Sequence, residues 1–360
     1  MKIEQSELKD LKAMVSVTLE QADYQEEVTK EIKQVRQKAQ MPGFRPGMVP
    51  AGLVKKMYGK SILAEVLNKK VGEALQKHIE DNKLQILGEP LPNEESPKID
   101  LDNDETFTFT FDIAVAPEFD AKLNGKNKLP EYTIEVTDEM VQKQVEAYAN
   151  RYGEYIPEDK EAGKKAEMIP AKIDAELFAK VYGPDAPKDE ADFRAKVKAE
   201  IEANMADESK YRFGVDAKAA ILKKMEKVAF PEDFLRRWVL ATNEKMTAEE
   251  LDKDFPKMIE ELKWHLAKDQ LMKEYDVKVE KEDVEAYAKE VARMQFMQYG
   301  LMHVEEEYLN NYANEILKNE DQLRGIVERV IENRIYEALK GIVKVEPKKI
   351  SHEDFGKLFK

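Results

Sequence analysis

Few residues in this 360-residue chain have the type and spacing that catalysis requires. The chain contains no cysteine, which excludes disulfide bonds and thiolate-based zinc or redox sites. Its four histidines are far apart and form no His-Glu-x-x-His motif; they are His78, His265, His303 and His352. Carboxylates are numerous but fall mostly on the polar faces of predicted helices, and no Ser/His/Asp arrangement stands out. We therefore expect no catalytic residue, no metal site and no cofactor.

One short motif could belong to a nucleotide-binding loop. Gly59-Lys60-Ser61 has the order of the residues that end a phosphate-binding loop. Such a loop also needs an earlier glycine, where this chain has Val54, and a buried strand before it. We interpret the motif as coincidental and expect a protein that works without nucleotide.

Basic residues are concentrated in one segment of an acidic chain. The formal net charge is −15, which disfavours nucleic acid as a partner of the whole surface. Residues 33–70, however, contain a single acid, Glu65, and nine basic residues: Lys33, Arg36, Lys38, Arg45, Lys55, Lys56, Lys60, Lys69 and Lys70. Such an island suggests a local anionic partner, although a solvated basic face would have the same composition.

The same segment contains a loop rich in proline and glycine, Met-Pro-Gly-Phe-Arg-Pro-Gly-Met-Val-Pro, at residues 41–50. This composition excludes a helix or a regular strand and favours turns of fixed shape. A preorganised loop loses little entropy on binding, and Phe44 and Arg45 offer an aromatic ring and a planar set of donors. These residues alone leave two alternatives open, a docking loop and an ordinary connection whose Phe44 packs into the core.

The elements around this loop form an α+β pattern. Alternating apolar residues predict strands at residues 11–19 and 106–115, the second with one solvated face. Asp23 is predicted to cap a helix, with Glu26 completing a capping box. A second helix is predicted over residues 61–82, where an apolar residue recurs every four positions: Leu63, Leu67, Val71, Leu75 and Ile79.

The rest of the chain is predicted to be almost wholly helical, with narrow apolar stripes and densely charged remaining faces. Asp189 is expected to cap a long helix and Pro231 to begin another, and a further stripe runs from Leu323 to Leu339. We therefore expect an α+β N-terminal domain, in which helices accompany an antiparallel sheet. It is followed by a mainly α-helical, elongated C-terminal domain with arms.

Two segments of this region have similar sequences. Tyr-Thr-Ile-Glu-Val at residues 132–136 and Tyr-Asp-Val-Lys-Val at residues 275–279 are each followed, at the same spacing, by a predicted helix. They are either a weak internal repeat or a common strand-to-helix pattern that occurs twice.

Flexible apolar side chains cluster close to residue 300. Within nine residues the chain contains Met294, Phe296, Met297, Tyr299, Leu301 and Met302. Methionine adapts to apolar partners of varied shape, so this cluster is a candidate surface for binding unfolded polypeptides. An internally packed corner between two helices would have the same composition.

The loop motif Gly43-Phe44-Arg45-x-Gly47-x-x-Pro50 resembles the ribosome-binding signature of bacterial trigger factors. Two further segments are similar to the N-terminal domain of that family: Val-Lys-Lys-Met-Tyr-Gly-Lys-Ser at residues 54–61 and Gly-Glu-Pro at residues 88–90. Pro-Glu-Asp-Phe-Leu at residues 231–235 is similar to its C-terminal domain. The resemblance therefore covers nearly the whole chain.

The resemblance implies a chaperone that docks on the large ribosomal subunit, at a ribosomal protein beside the exit tunnel and at nearby rRNA. Its helical arms would hold nascent or unfolded polypeptides. The docking residues implied are Gly43, Phe44, Arg45, Pro46, Gly47, Pro50, Lys55 and Lys56. Family members often carry lysine where this chain has Pro46 and Met48, so the lower charge of the loop implies either weaker docking or a shift of the electrostatic contact to Lys55, Lys56 and Lys60.

One domain of the family has no counterpart in the sequence. Trigger factors usually insert an FKBP-like prolyl isomerase after the N-terminal domain, whereas here only residues 155–169 link two helical segments. We expect a ribosome-binding domain at residues 1–116, a linker strand and helix at 117–170, and a helical substrate-binding domain at 171–360. With no isomerase domain, we expect no enzymatic activity.

These features predict an ATP-independent chaperone of the cytoplasm that holds nascent chains at the ribosome. The first residues contain no apolar segment of signal-peptide length and no stretch is apolar enough to span a membrane, so we expect no membrane partner. A homodimer away from the ribosome is left open. The alternatives are a peptidyl-prolyl isomerase, an extracytoplasmic helical holdase of the SurA kind that does not bind ribosomes, and a purely structural interaction protein.

Overall fold

The computed structural model describes residues 1–38, 44, 48–156, 167–299, 301 and 304–359. The strands are β1 (Lys2–Gln5), β2 (Lys12–Leu19), β3 (Leu91–Pro92), β4 (Phe107–Ala114), β5 (Lys128–Glu135), β6 (Glu154–Ile156), β7 (Glu167–Ile169) and β8 (Lys344–Ser351). The helices are α1 (Gln21–Lys38), α2 (Ala51–Asp81), α3 (Asp138–Arg151), α4 (Ala175–Tyr182), α5 (Glu190–Lys224), α6 (Glu232–Thr242), α7 (Ala248–Glu274), α8 (Lys281–Gln298), α9 (Glu306–Lys318), α10 (Glu320–Lys340) and α11 (His352–Lys357).

The chain divides into two compact units. Unit 1 consists of Met1–Phe119 and Lys227–Ile259, and unit 2 of Asp120–Glu226 and Glu260–Lys360. Unit 1 combines a sheet with helices and unit 2 is mainly helical, which confirms the predicted fold class of both parts. Within the described residues, none of the helices has the length and apolar character needed to cross a membrane.

Unit 1 is built on a four-stranded sheet with the order β1-β2-β4-β3, in which neighbouring strands are antiparallel. β2 and β4 pair along their whole length, with Val15 opposite Phe111 and Val17 opposite Phe109. Their β-branched and aromatic residues alternate with polar ones, which suits a sheet with one buried face. The two strands predicted in this region are therefore confirmed.

The buried face of this sheet packs against α1 and α2. The core contains Val15, Val17 and Leu19 from β2, Tyr24 and Val28 from α1, Leu67, Val71 and Leu75 from α2, and Phe107 and Ile113 from β4. The ring of Tyr24 lies 5.5 Å from that of Phe107, and its hydroxyl donates a hydrogen bond of 3.0 Å to the carbonyl of Glu105. The apolar stripes of both helices thus meet the alternation of the strands in one core.

The predicted start of each N-terminal helix was wrong. α1 begins before Asp23, whose carboxylate accepts a hydrogen bond of 2.8 Å from the N–H of Glu20 from within the first turn. α2 begins at Ala51, well before the predicted start at residue 61, with Pro50 at its N-cap. The apolar stripe that predicted α2 therefore identified only its second part.

The predicted solvated face of β4 is also partly covered. Thr110 on this face is buried, and its carbonyl accepts a hydrogen bond from the hydroxyl of Ser96. Asp112 on the same face accepts a hydrogen bond of 2.7 Å from the side chain of Asn93. The residues after β3 therefore lie over part of the sheet that the alternation assigned to solvent.

Residues from the second half of the chain complete unit 1. Ion pairs of 2.5 Å join α6 to the sheet, from Lys12 to Asp233 and from Arg237 to Asp112. Gly88 has a φ of +73°, and a Cβ at this position would lie 2.8 Å from the indole of Trp238, so glycine permits both the turn and the close packing. Unit 1 thus includes residues of the predicted helical domain, while the predicted boundaries at residues 116 and 170 stay predictions.

Unit 2 contains a two-stranded parallel ribbon made by β5 and β8, with Leu129 opposite Val345 and Ile134 opposite Ile350. α11 packs against this ribbon, where the ring of Phe355 lies 5.7 Å from that of Tyr132. Only the first of the two similar segments forms a strand, at residues 132–135 of β5, since residues 275–276 are a turn and residues 277–279 an irregular connection. The shared pattern therefore predicted the following helices but not the strand.

Aromatic rings organise the helices at one end of unit 2. Asp189 caps α5 as predicted, accepting a hydrogen bond of 2.9 Å from the N–H of Asp192. In α5, Phe193 stacks on Phe178 with a centroid distance of 4.5 Å and meets Tyr148 and Tyr182 edge to face. α3 and α4 are thereby joined to α5, and the hairpin β6–β7 connects α3 to α4.

Small residues organise α8, α9 and α10 into a second helical core. The buried residues of this core are Ala288 and Ala292 from α8, Leu309, Ala313 and Ile316 from α9, and Ile326 and Val330 from α10. The small side chains of these alanines let α8 and α9 approach closely, and partly buried side chains such as Val284, Val291 and Phe296 pack against the core.

Candidate functional site

The predicted docking loop is described in part. Gly43, Arg45, Pro46 and Gly47 lie outside the described residues. Phe44 is 41% exposed and Pro50 is exposed, while Val49, which directly precedes Pro50, is fully buried. The side chain of Phe44 is therefore available to a partner rather than enclosed in the core.

The end of the loop is held by the first helix. The guanidinium Nε of Arg36 in α1 donates a hydrogen bond of 2.8 Å to the carbonyl of Val49. The carbonyl of Pro50 accepts hydrogen bonds of 3.0 and 3.2 Å from the N–H groups of Leu53 and Val54, which begins α2. Arg36 thus has a structural role, although its charge was counted in the basic island.

Ion pairs engage three of the five island lysines that lie on α2. Lys60 lies 2.6 Å from Asp102, and Lys69 and Lys70 lie 2.6 and 2.9 Å from the two carboxylate oxygens of Glu27. These two lysines lower the pKa of Glu27 to about 2, because they donate hydrogen bonds to its ionised form. Three lysines are therefore engaged within unit 1.

Lys55 and Lys56 are the other two island lysines on α2. Both are exposed on the first turns of α2, and no acid of the described residues pairs with either. Of the three lysines expected to make the electrostatic contact, Lys60 is paired with Asp102, which leaves these two. Gly59-Lys60-Ser61 lies inside α2, so these residues form part of a helix rather than a phosphate-binding loop.

Apolar side chains surround these lysines in sequence. Met48, Met57 and Tyr58 are exposed, and the sequence reasoning did not single them out for docking. For Met57 and Tyr58 the signal was their position beside Lys55 and Lys56 and off the apolar stripe of α2, whereas Met48 precedes this helix. We call Phe44, Met48, Lys55, Lys56 and Met57 the docking surface.

The second candidate site lies where α8 and α9 are connected. Met294, Met297, Tyr299 and Leu301 are exposed, and Tyr299 reaches 84%. Met302 lies outside the described residues. These exposed side chains place most of the predicted cluster at the surface rather than in a packed corner.

Phe296 differs from the rest of the predicted cluster. It is partly buried against the core of α8, α9 and α10, and its ring lies 5.2 Å from that of Tyr312. Tyr308 and Tyr312 of α9 are exposed and line an open groove together with Phe296. We call Met294, Met297, Tyr299, Leu301, Tyr308 and Tyr312 the α8–α9 surface.

The two tyrosines of α9 were missed by the sequence reasoning. Tyr308 and Tyr312 are four residues apart and therefore share a helix face. That face is next to the buried stripe of Leu309, Ala313 and Ile316. An aromatic pair beside an apolar stripe was the available signal.

These surfaces offer binding rather than reaction chemistry. In the described part of the chain, no group of three or more His, Cys, Asp or Glu residues could hold a metal ion. The docking surface combines an aromatic ring with unpaired cations, and the α8–α9 surface combines methionines with tyrosines. The first suits an anionic partner and the second an apolar partner of variable shape.

Comparison with known proteins gives the same result for both ends of the chain. Residues 1–148 match the family described as bacterial trigger factor protein, and residues 209–359 match the probable trigger factor C-terminal domain. The trigger factor of Methylobacterium sp. (strain 4-46) is 31% identical over 172 residues, which are 46% of this chain and 35% of that protein. The trigger factor of Novosphingobium aromaticivorans is 34% identical over 145 residues, which are 40% of this chain and 28% of that protein. The chain thus matches about a third of the length of these relatives.

A solved structure shares the fold over almost the whole chain. It is described as showing promiscuous substrate recognition in folding and assembly activities of the trigger factor chaperone. The TM-score is 0.52 at 13% sequence identity, and the match covers 94% of this chain and 99% of that one. Residues 149–208 separate the two segments that match the family. With its N-terminal and C-terminal parts both matched, this chain belongs to the trigger factor family.

Proposed function

We propose that this protein is an ATP-independent chaperone that docks on the large ribosomal subunit and holds nascent or unfolded polypeptides. The observation that carries the proposal is the exposed α8–α9 surface in a chain of the trigger factor family. An unfolded client has no fixed shape, so methionines and tyrosines that adapt to many apolar partners suit its binding.

The docking surface supports the ribosomal part of the proposal. Phe44 presents an aromatic ring, and Lys55 and Lys56 present charges that no acid of the described residues neutralises. A ribosome offers carboxylates of its proteins and phosphates of its RNA close together, and lysine binds either as a point charge. The partners proposed are therefore a ribosomal protein at the exit tunnel and the adjacent rRNA, in the cytoplasm.

Co-sedimentation with bacterial ribosomes tests the docking. We expect the full chain to sediment with large subunits, and the Phe44→Ala and Lys55→Ala/Lys56→Ala variants to remain largely in the supernatant. Lys60→Ala is the matched control, because this lysine lies on the same helix but already pairs with Asp102. Equal sedimentation of all variants would exclude the docking surface.

Suppression of aggregation tests the holding of clients. Met297→Ser combined with Tyr299→Ser is expected to reduce the protection of a denatured test protein, because both side chains are exposed. Phe296 is left unchanged since it packs against the core. The control is Met14→Ser, which removes an exposed methionine from unit 1. If the double variant protects as well as the parent protein, the α8–α9 surface is not the client site.

The alternative of a peptidyl-prolyl isomerase has less support. The residues between the two matched segments include the hairpin β6–β7, α4 and the first part of α5. We infer that the protein has no isomerase activity. An assay of prolyl isomerisation in a short peptide tests this, and a rate above the uncatalysed one would overturn it.

A further inference from the structure

We propose that the hairpin β6–β7 is a second site for unfolded polypeptides, which binds an extended apolar segment as an added β-strand. The inference rests on the proposed holding function and adds to it a site and a mode of binding. The described residues that form the site are Glu154–Ile156 and the backbone of Glu167–Ile169, with the side chains of Met168 and Ile169.

The hairpin exposes apolar side chains on both faces. Tyr155 is 62% exposed, and Ile156, Met168 and Ile169 are exposed as well. Tyr155 is opposite Met168 in the register, so these two side chains share one face. Ile156 and Ile169 therefore lie on the other face. A two-stranded ribbon in water gains little from such residues by itself, which leaves their apolar area available to a partner.

The base of the hairpin is fixed to the end of α3. The N–H of Ala171 donates a hydrogen bond of 2.8 Å to the carbonyl of Ala149 in this helix. A Cβ at Gly153 would lie 2.3 Å from the carbonyl oxygen of Ile169, so only glycine permits this close approach. The strands are thus held in position before a partner binds, which lowers the entropy lost on binding.

The outer edges of the hairpin offer backbone hydrogen bonds. The sheet contains two strands, so among the described residues each has one edge without a strand partner. In the ribbon of β5 and β8, the strand β8 carries Pro347, Lys348 and Lys349, which discourage pairing with a further strand. β6 and β7 read Glu-Tyr-Ile and Glu-Met-Ile and have neither device.

The size of the site favours a client segment over a second copy of this chain. Stable protein interfaces bury about 1,200–2,000 Å² in total, far more than strands of three residues provide. In the sequence, Pro157 and Pro170 directly follow Ile156 and Ile169, and proline donates no backbone hydrogen bond. A short edge of this kind suits weak, reversible binding of an unfolded chain, whose own backbone donors and acceptors are unpaired.

Two peptides with the same side chains test the binding mode. The first alternates valine and phenylalanine with threonine, and the second is N-methylated at alternate residues so that one backbone edge cannot donate. Fluorescence anisotropy with the full chain is expected to show affinity about tenfold lower for the N-methylated peptide. Hydrogen exchange of the amides of residues 154–156 and 168–169 is expected to slow with the first peptide only.

Two variants separate this site from the α8–α9 surface. Ile156→Lys combined with Ile169→Lys adds charge to the hairpin and is expected to lower affinity for the first peptide about tenfold. Met297→Ser combined with Tyr299→Ser is the matched control, and it is expected to leave hydrogen exchange at the hairpin sensitive to the peptide.

The possible results lead to different conclusions. Equal affinity for both peptides, or loss of binding only in the Met297/Tyr299 variant, overturns the hairpin site and leaves the proposed function standing. Exchange that slows with protein concentration alone identifies a second copy as the occupant and overturns the client. Absence of any peptide binding, together with no suppression of aggregation, overturns both proposals.

Discussion

At the level of single residues, partners distant in sequence decide what each charge of the basic island can do. Lys60 is engaged by Asp102 and the pair Lys69 and Lys70 by Glu27, whereas Lys55 and Lys56 are left to solvent. Exposed ion pairs add little stability, but each occupies a cation that would otherwise be offered to a partner. The net charge of the segment therefore overstates what a partner meets.

Glu27 gives a prediction for the dependence of stability on pH. Its pKa falls from 4.5 to about 2 in the folded protein, so its contribution is complete above pH 4.5 and is lost as the pH falls toward 2. We expect the difference in unfolding free energy between the parent protein and Glu27→Gln to shrink across this range. Fluorescence of Trp238 in a Trp264→Phe background reports the unfolding of unit 1. A difference that is constant from pH 7 to pH 3 would contradict the assignment.

Gly214 gives a prediction that opposes its helix propensity. Replacing a glycine inside a helix by alanine ordinarily stabilises it by about 0.5–1 kcal/mol. In α5, however, a Cβ at Gly214 would lie 2.6 Å from the ring of Tyr336, which itself stacks on Trp264. We therefore expect Gly214→Ala to destabilise unit 2 by about 1–3 kcal/mol in denaturant titrations.

Gly325 provides the matched control for Gly214. It lies in α10, and a Cβ there would meet no atom within 4 Å. Gly325→Ala is expected to stabilise unit 2 by about 0.5–1 kcal/mol. Stabilisation by both substitutions would mean that Tyr336 does not pack against α5 as described.

At the level of elements, α11 stabilises a parallel ribbon whose strands come from opposite ends of unit 2. Phe355 is 1% exposed and contacts Tyr132 of β5, whereas Phe359, four residues later, is 48% exposed. We expect Phe355→Ala to destabilise unit 2 by about 3–5 kcal/mol, because it leaves a cavity beneath the ribbon. Phe359→Ala is the control and is expected to have a much smaller effect. Fluorescence of Trp264 in a Trp238→Phe background measures both, and equal effects would argue against a packed α11.

At the level of the whole molecule, the net charge of −15 opposes approach to an anionic ribosome. The proposed docking through Lys55 and Lys56 should nevertheless weaken as salt rises, because salt competes with the attraction between these cations and phosphates. If both lysines contact phosphates, the negative slope of log affinity against log salt is expected to become shallower, by about 1–2 in magnitude, in the Lys55→Ala/Lys56→Ala variant. Lys60→Ala should leave the slope unchanged. Binding of the full chain that is independent of salt would exclude a contact with RNA by these lysines.

Local sequence predicted several of the strands and helices because the relevant signals are short in range. Alternation located β2 and β4, and Asp189 and Pro231 located the starts of α5 and α6. Proline fixes φ and glycine permits φ values that other residues avoid, so the composition of residues 41–50 predicted a loop, and the motif at residues 43–50 carried the resemblance to the family together with residues 54–61, 88–90 and 231–235. Such features depend on neighbouring residues and can be read from the sequence alone.

Tertiary structure decided which of these segments pair and which side chains remain exposed. Residues 132–135 form a strand because β8 lies beside them, whereas the similar residues 275–279 have no strand partner among the described residues. Phe296 packs against Tyr312 while Met297 stays exposed, although both belong to one apolar cluster in the sequence. Partners far along the chain settle such outcomes, because the free energy of pairing and burial depends on the surface that a segment meets.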